Sequence, residues 1–111
     1  MLDRTATARI VVSTAASMDE ASRIAHELIE RRLAACVSQL PGLVSVYRWR
    51  DTVEQTAEVL LLIKTSEERL PALEAALREL HSYEVPEFLV LPVPAGSGAY
   101  LEWLFSSVMQ E

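Results

Sequence analysis

The sequence is poor in cysteine, glycine and lysine, and each shortage excludes a class of protein. One cysteine in 111 residues cannot form an internal disulfide, so nothing indicates an oxidising compartment. Three glycines provide neither a glycine-rich phosphate loop nor a G-x-S-x-G nucleophile elbow. Ten basic residues, with a single lysine among them, are scattered among sixteen acidic ones. A net charge of −6 without a basic cluster argues against a nucleic-acid partner and suits a cation or a basic partner better.

Long hydrophobic runs are also missing. The longest, Val59–Ile63, is too short to span a bilayer. The N-terminus carries Asp3 and Arg4 and lacks an apolar stretch of signal-peptide length. We therefore expect a cytoplasmic protein with no membrane partner. Its length predicts a single domain over residues 1–111, in which residues 1–7 form a flexible end.

The hydrophobic periodicity predicts the order β-α-β-β-α-β-α. A capping box, Ser17 with Glu20 three residues later, opens a first helix that should run to about Ala34, and a second helix should start near Leu70. The predicted strands are Ile10–Val12, Cys36–Arg50 with an interruption at Pro41–Gly42, Val53–Thr65 and Pro86–Val93. Right-handed crossovers then place the first and third strands side by side, which is the α+β ferredoxin-like βαββαβ sandwich with an added C-terminal helix. Prolines near both ends of the fourth strand indicate a sheet edge.

The hairpin of the second and third strands is too long for such a small domain. At ~3.3 Å per residue each arm could reach ~40 Å, and helices of about four turns cannot cover that length. Its far end, with Tyr47, Trp49 and Val53, must meet water or another subunit. Since an uncovered hairpin promotes aggregation, the pattern favours a closed symmetric oligomer.

The densest group of candidate ligands lies between the second helix and the fourth strand. It contains His81, Tyr83, Glu84 and Glu87. Histidine, glutamate and cysteine all bind transition metals, but the chain has no H-x-x-x-H or C-x-x-C pair. His81 could equally be a helix C-cap, and the glutamates could be solvated or paired with arginine.

A second candidate set is spread along the hairpin. Cys36 could be a metal ligand or a small buried hydrophobic residue. Lys64, the single lysine, could bind an anion or could snorkel at a strand end. Tyr47 and Trp49 could line a pocket or pack in a subunit interface. No nucleophile has a recognisable base and orienting group beside it, so we do not expect an enzyme.

Several motifs occur in order between about Ile10 and Val108. They are Arg32–Val37, Pro41–Gly42, Ser45–Trp49, Leu62–Thr65, His81–Glu87 and Tyr100–Trp103. Together they resemble the CutA family of divalent-cation tolerance proteins. The resemblance implies a ferredoxin-like fold assembled as a homotrimer similar to the PII signalling proteins. It also implies that the long hairpin and the edge strands build the subunit contacts, and that the protein associates with copper or another divalent metal ion.

The resemblance further implies a cleft between subunits near the His81–Glu84 segment. We expect His81, Glu84 and Cys36 as metal ligands there, with Tyr47, Trp49, Lys64, Tyr83 and Glu87 lining the cleft. Two positions depart from the family pattern. Ser82 replaces a usual proline, and Ser13 stands where some members carry a cysteine proposed as a copper ligand, although a hydroxyl is a poor ligand for Cu(I).

Three functions therefore compete at this point. The first is a trimeric metal-tolerance protein that binds divalent cations. The second is a PII-like sensor or adaptor that binds a small anionic ligand, for which Lys64 is the motivation, or a partner protein. The third is a structural scaffold.

Overall fold

The computed structural model describes residues 1–4 and 7–110, which form an α+β sandwich. A short 3-10 turn, Glu67–Arg69, leads into the second helix. The elements in chain order are β1 (Leu2–Asp3), β2 (Ala8–Ala15), α1 (Met18–Glu30), β3 (Cys36–Trp49), β4 (Thr52–Ser66), α2 (Leu70–Leu80), β5 (Leu89–Pro92), β6 (Gly96–Ser97) and α3 (Gly98–Ser107). Among the described residues, no helix is long and apolar enough to cross a membrane.

The main sheet has four antiparallel strands in the order β3-β4-β2-β5. Val11 of β2 lies opposite Ile63 of β4 on one side and opposite Val90 of β5 on the other. The predicted first and third strands are thus neighbours, as the ferredoxin-like arrangement requires, and that prediction is confirmed. Among the described strands, the one containing Pro92 pairs with β2 alone, so its predicted edge position is also confirmed.

Strand alternation divides the sheet into two faces with different surroundings. One face packs against α1 and α2 and forms the core, whose largest fully buried apolar side chains are Val11, Ile24, Leu28, Leu61, Ile63, Leu73 and Leu77. On the opposite face, Leu101 and Leu104 of α3 pack against Ala8 at one end, and the described residues place no helix over the rest of it. Leu40, Leu89 and Leu91 on that face are 59%, 58% and 47% exposed.

The first helix ends earlier than predicted, at Glu30 and not near Ala34. Arg32 adopts a left-handed φ of 56°. The Leu33 N–H returns to the Leu28 carbonyl at 2.9 Å, and the Arg32 N–H returns to the Ile29 carbonyl at 3.0 Å. This is the hydrogen-bond pattern of a Schellman motif, which terminates a helix. Periodicity missed it because arginine occupies the position that glycine usually takes.

The N-terminus is hydrogen-bonded to the C-terminal half of the chain. Leu2–Asp3 pair with Gly96–Ser97, and the Gly98 N–H donates to the Met1 carbonyl at 2.8 Å. Leu2–Asp3 are therefore paired within the end over residues 1–7 that we expect to be flexible, while residues 5 and 6 lie outside the described part. The fourth predicted strand is also shorter than expected, Leu89–Pro92.

The β3–β4 hairpin is as long as predicted and projects from the body. Its register runs from Cys36 opposite Lys64 to Trp49 opposite Thr52, with the predicted irregularity after Leu40. The two residues of the turn, at positions 50 and 51, have φ of 51° and 65°, which is the positive-φ geometry of a type I′ turn. The hairpin stretches the molecule to 47 × 26 × 22 Å, and its radius of gyration of 14.8 Å exceeds the ~13 Å typical of this length.

Candidate functional site

An open groove of about 590 Å³ lies between the loop that follows α2 and the outer part of the hairpin. We call it the acid–aromatic groove. It is lined by Thr14, Ser45, Val46, Tyr47, Trp49, Glu58, Ser82, Tyr83, Glu84, Val85 and Glu87. The structure therefore brings together Tyr47, Trp49, Tyr83, Glu84 and Glu87, five of the eight predicted site residues. No basic side chain is among the described residues that line it.

Glu58 is the most buried acid of the groove, with only 8% of its surface exposed. The Tyr83 hydroxyl donates to its Oε2 at 2.7 Å. Burial alone would raise the pKa of Glu58, but hydrogen bonds from the hydroxyls of Ser45, Tyr83 and Thr14 outweigh burial and hold it below its usual value. Burial and the bond to Glu58 in turn raise the pKa of Tyr83. At neutral pH the pair is therefore an ionised carboxylate and a protonated phenol.

The other two acids lie in more open positions. Desolvation and then the charge of Glu58 raise the pKa of Glu87, so the two carboxylates repel each other. Glu84 lies at the rim, where its Oε2 accepts from Nη2 of Arg50 at 2.9 Å. The Arg50 guanidinium is also 5.3 Å from the centre of the Trp49 ring. A cation is thus already held at the rim between an aromatic face and a carboxylate.

His81 does not line the groove but holds the loop that does. It is 8% exposed, and its Nδ1 accepts from the Tyr83 N–H at 3.0 Å. Its Nε2 must therefore carry the proton, which it donates to the Thr14 carbonyl at 2.6 Å. Its own N–H donates to the Leu77 carbonyl at the end of α2, as the C-cap interpretation expected. Since both ring nitrogens are engaged within the chain, neither is free for a metal ion in this conformation.

Glu20 fixes the same loop from the other side. Its Oε1 accepts from the Ala16 N–H at 3.0 Å and its Oε2 from the Ser82 N–H at 2.8 Å. The Ser17 half of the predicted capping box is confirmed, because the Ser17 hydroxyl accepts from the Glu20 N–H at 3.1 Å. Burial would raise the pKa of Glu20, but the bonds from Ser82 and Ala16 lower it overall. This carboxylate therefore joins the start of α1 to the groove loop.

Cys36 and Lys64 lie elsewhere on the open face of the sheet. Lys64 Nζ donates to the Ser38 hydroxyl at 2.8 Å and lies 3.7 Å from the Cys36 sulfur. Lys64 lies four residues along β4 from Leu60, the residue opposite Thr14, so the Cys36–Lys64 pair is ~13 Å from Thr14. A single chain therefore does not bring Cys36 together with His81 and Glu84. The described residues hold no cluster of three or more His, Cys, Asp or Glu side chains positioned around one metal ion.

Sequence reasoning missed Glu58, Thr14 and Ser45. A signal for Glu58 was present, because it shares the alternation of Leu60, Leu62 and Lys64 and so faces the same side of β4. Glu58 directly precedes the apolar run Val59–Ile63 and lies on the face of the sheet that α1 and α2 do not cover. A carboxylate in such a position is a candidate for a partly buried polar site. Thr14 and Ser45 carry no comparable signal, since threonine and serine are common in strands and turns.

Comparison with known proteins decides the family. The family model described as "CutA1 divalent ion tolerance protein" matches residues 9–107, nearly the whole chain. The chain belongs to the CutA family. The predicted resemblance is thereby confirmed. The divalent-cation tolerance protein CutA of Thermus thermophilus is 45% identical over 95 residues, which cover 86% of this chain and 92% of the relative.

Solved CutA structures share the fold as well as the sequence. CutA from Synechococcus elongatus superposes with a TM-score of 0.93 at 39% identity and covers 98% of this chain and 96% of its own. A second structure of that protein, complexed with a Bis-Tris molecule, has a TM-score of 0.89 at 40% identity and covers 96% and 99%. The predicted α+β ferredoxin-like class is therefore confirmed for this CutA chain.

Proposed function

We propose that this CutA protein contributes to divalent-cation tolerance as a homotrimer that binds cations in clefts between its subunits. The acid–aromatic groove is the part of the cleft that one chain supplies. The observation that carries the proposal is the buried Glu58 carboxylate, hydrogen-bonded by the Tyr83 hydroxyl, in a groove whose described lining residues include no basic side chain. A cation placed there gains Coulomb energy in a partly desolvated site.

Exposed apolar surface supports the trimer. Large apolar side chains are solvent-exposed on the hairpin and on the open face of the sheet. They are Leu40, Val44, Val46, Val53, Leu89 and Leu91, each 47–63% exposed. The edge strands β3 and β5 also present unpaired backbone groups in the single chain. A closed ring of subunits would cover both the apolar side chains and the strand edges.

The chemistry of the donors narrows the metal proposal. Glu58, Glu84 and Glu87 offer hard carboxylate oxygens, which suit cations that prefer oxygen ligands. A copper site made of His81, Glu84 and Cys36 stays a prediction. It would need Cys36 from another subunit, and His81 would have to give up one of its hydrogen bonds. In either case a second subunit must complete the coordination sphere.

Two measurements test this proposal. Light scattering should give three times the chain mass of 12.4 kDa at micromolar concentration, and a monomer mass would refute the trimer. Calorimetric titration with Zn(II), Cu(II) and Mn(II) should show binding that Glu58→Gln weakens. The control Glu74→Gln removes the same charge from the exposed surface of α2 and should leave binding unchanged. Equal binding by both variants would refute a metal site in the groove.

A second candidate function is a PII-like sensor or adaptor that binds a small molecule. The Synechococcus structure with Bis-Tris favours it, because that CutA accepts an organic molecule. The anionic ligand expected from Lys64 receives no support, since Lys64 lies outside the groove. A thermal-shift screen tests the candidate, because a ligand of the native state raises the melting temperature. A cytoplasmic location and the absence of catalysis stay predictions.

A further inference from the structure

Among the described residues, the buried carboxylate of Glu58 forms no salt bridge. Its electrostatic neighbours are the hydroxyls of Ser45, Tyr83 and Thr14 and, with a smaller effect, His81. Buried carboxylates are ordinarily paired with a cation or a metal, because leaving one unpaired costs free energy. The hydroxyls hold the carboxylate ionised, and the groove in front of it is open to a ligand that carries a positive charge.

The part of the groove that one chain supplies suits an organic cation, whereas a metal ion would need further ligands from a second subunit. Tyr47 and Trp49 present aromatic surface, 42% and 40% exposed. Aromatic faces attract ammonium and guanidinium groups and also pack against methylene groups. A metal ion uses neither property and instead needs several ligands converging within ~2.6 Å, whereas the described acids form no such cluster. A volume of about 590 Å³ suits a small organic molecule.

The rim of the groove already displays this mode of recognition. The Arg50 guanidinium lies 5.3 Å from the Trp49 ring centre and 2.9 Å from Glu84 Oε2. An organic cation is thus held between an aromatic face and a carboxylate by the chain itself. Glu58 and Tyr83 repeat the combination of carboxylate and ring deeper in the groove, where no side-chain cation of the described residues reaches.

We propose that the acid–aromatic groove binds a small aliphatic amine in its protonated form, with one ammonium group on Glu58 and its carbon chain against Tyr47 and Trp49. Hydroxyls of the ligand would meet Thr14 and Ser82 at the wall. This inference rests on the second candidate function and names its ligand class. It does not require that the groove also bind a metal ion.

Calorimetry with spermidine and with triethanolamine tests the inference, in EDTA and at constant ionic strength. Sorbitol, a neutral polyol, is the control ligand. We expect saturable binding of at least one amine and none of sorbitol. Glu58→Gln should weaken amine binding by about tenfold, and Trp49→Leu by about threefold, as expected for a charge-assisted bond and a cation–π contact. Glu74→Gln, which removes the same charge from the exposed surface of α2, should change it less than about twofold.

Two outcomes would overturn the inference. One is the absence of saturable binding by both amines; the other is amine binding that Glu58→Gln and Glu74→Gln weaken equally, which would indicate attraction to net charge alone. If Glu58→Gln does not fold, the amine affinity of Trp49→Leu, at the exposed end of the hairpin, decides the question instead. A separate titration with Zn(II) without EDTA distinguishes the proposals. Metal binding without amine binding refutes only the inference, and the reverse result refutes only the metal proposal.

Discussion

Ser13 carries a hydroxyl that is completely buried and, among the described residues, has no hydrogen-bond partner. It lies opposite Leu61 on the side of β2 that packs against the helices. A buried hydroxyl without a partner loses its bonds to water and gains none in exchange. We therefore predict that Ser13→Ala stabilises the protein, although most substitutions in a core destabilise it.

The expected magnitude follows from two opposing terms. An unsatisfied buried hydroxyl costs about 1–3 kcal/mol, and the alanine variant recovers that amount. The variant also leaves a void of roughly 10–15 Å³, which costs about 0.3 kcal/mol at ~24 cal/mol per Å³. The net gain should be about 0.7–2.7 kcal/mol in the free energy of unfolding.

Thr65→Val is the matched comparison. Thr65 is also fully buried on the helix-facing side of the sheet, but its Oγ1 donates to the Leu33 carbonyl at 2.7 Å. Valine keeps the shape and removes the donor, so this variant should lose about 1–3 kcal/mol. Removing a buried hydroxyl should thus have opposite signs at Ser13 and at Thr65.

Guanidinium chloride unfolding at pH 7 measures both variants, with chain concentration held constant because assembly contributes to apparent stability. Ser13→Ala should move the midpoint upward and Thr65→Val downward, with unchanged slopes. A Ser13→Ala variant that is less stable than the wild type by more than about 0.5 kcal/mol would refute the reasoning, since its hydroxyl would then contribute a favourable bond.

Three further predictions concern the groove and the hairpin. Tyr83→Phe removes the donor to Glu58 and should cost about 1.5–3 kcal/mol at pH 7. The pKa of Glu58 is lowered in the fold, so the ionised carboxylate stabilises the protein fully above the unfolded pKa of about 4.3, and this stabilisation is lost as pH falls through the folded pKa. Unfolding at pH 3.5 should therefore show a smaller loss of stability for Tyr83→Phe than unfolding at pH 7. The pKa of Glu87 is raised in the fold, so Glu87→Gln should stabilise the protein at pH 7, and this stabilisation should vanish as pH falls through that pKa. Because Glu87 is exposed, the stabilisation should be less than about 0.5 kcal/mol. Thermal melts at pH 7 and pH 4 measure it. Asp51→Gly should stabilise by about 0.5–1 kcal/mol, because glycine accepts the positive φ of 65° in the type I′ turn, and unchanged or lower thermal stability would contradict it.

Local sequence signals predicted most of the fold because each lies within a few residues. The apolar run Val59–Ile63, the prolines around the last strand of the sheet and the Ser17 cap identify their elements without tertiary information. The end of α1 could not be predicted, because Arg32 occupies the left-handed position where glycine usually signals a helix end. Backbone hydrogen bonds stabilise that conformation. The length of the hairpin indicated that something must cover it, but the partner that would do so is not encoded in any local pattern.

The site was predicted less well, for a physical reason. Tyr83, Glu84 and Glu87 are close in sequence and were identified together, whereas Glu58 reaches the same groove from 25 residues away. Spacing within one segment cannot reveal such a contact. His81 was predicted as a ligand because of its chemistry, but its Nδ1 accepts from the Tyr83 N–H in its own loop and its Nε2 donates to the Thr14 carbonyl in β2. Chemistry that suits a metal equally suits a structural hydrogen bond, and only the geometry distinguishes the two.

The alternation of β2 places a core residue and a groove residue at two consecutive positions. Ser13 points into the helix-covered core, while the next residue, Thr14, lines the groove and accepts the His81 bond through its carbonyl. A thiol at the Ser13 position would therefore enter the core of this chain and would not reach the groove carboxylates. The serine here does not remove a ligand from the acid–aromatic groove. The cation binding that we propose for this groove would instead depend on Glu58, which faces the same side of the sheet as Thr14.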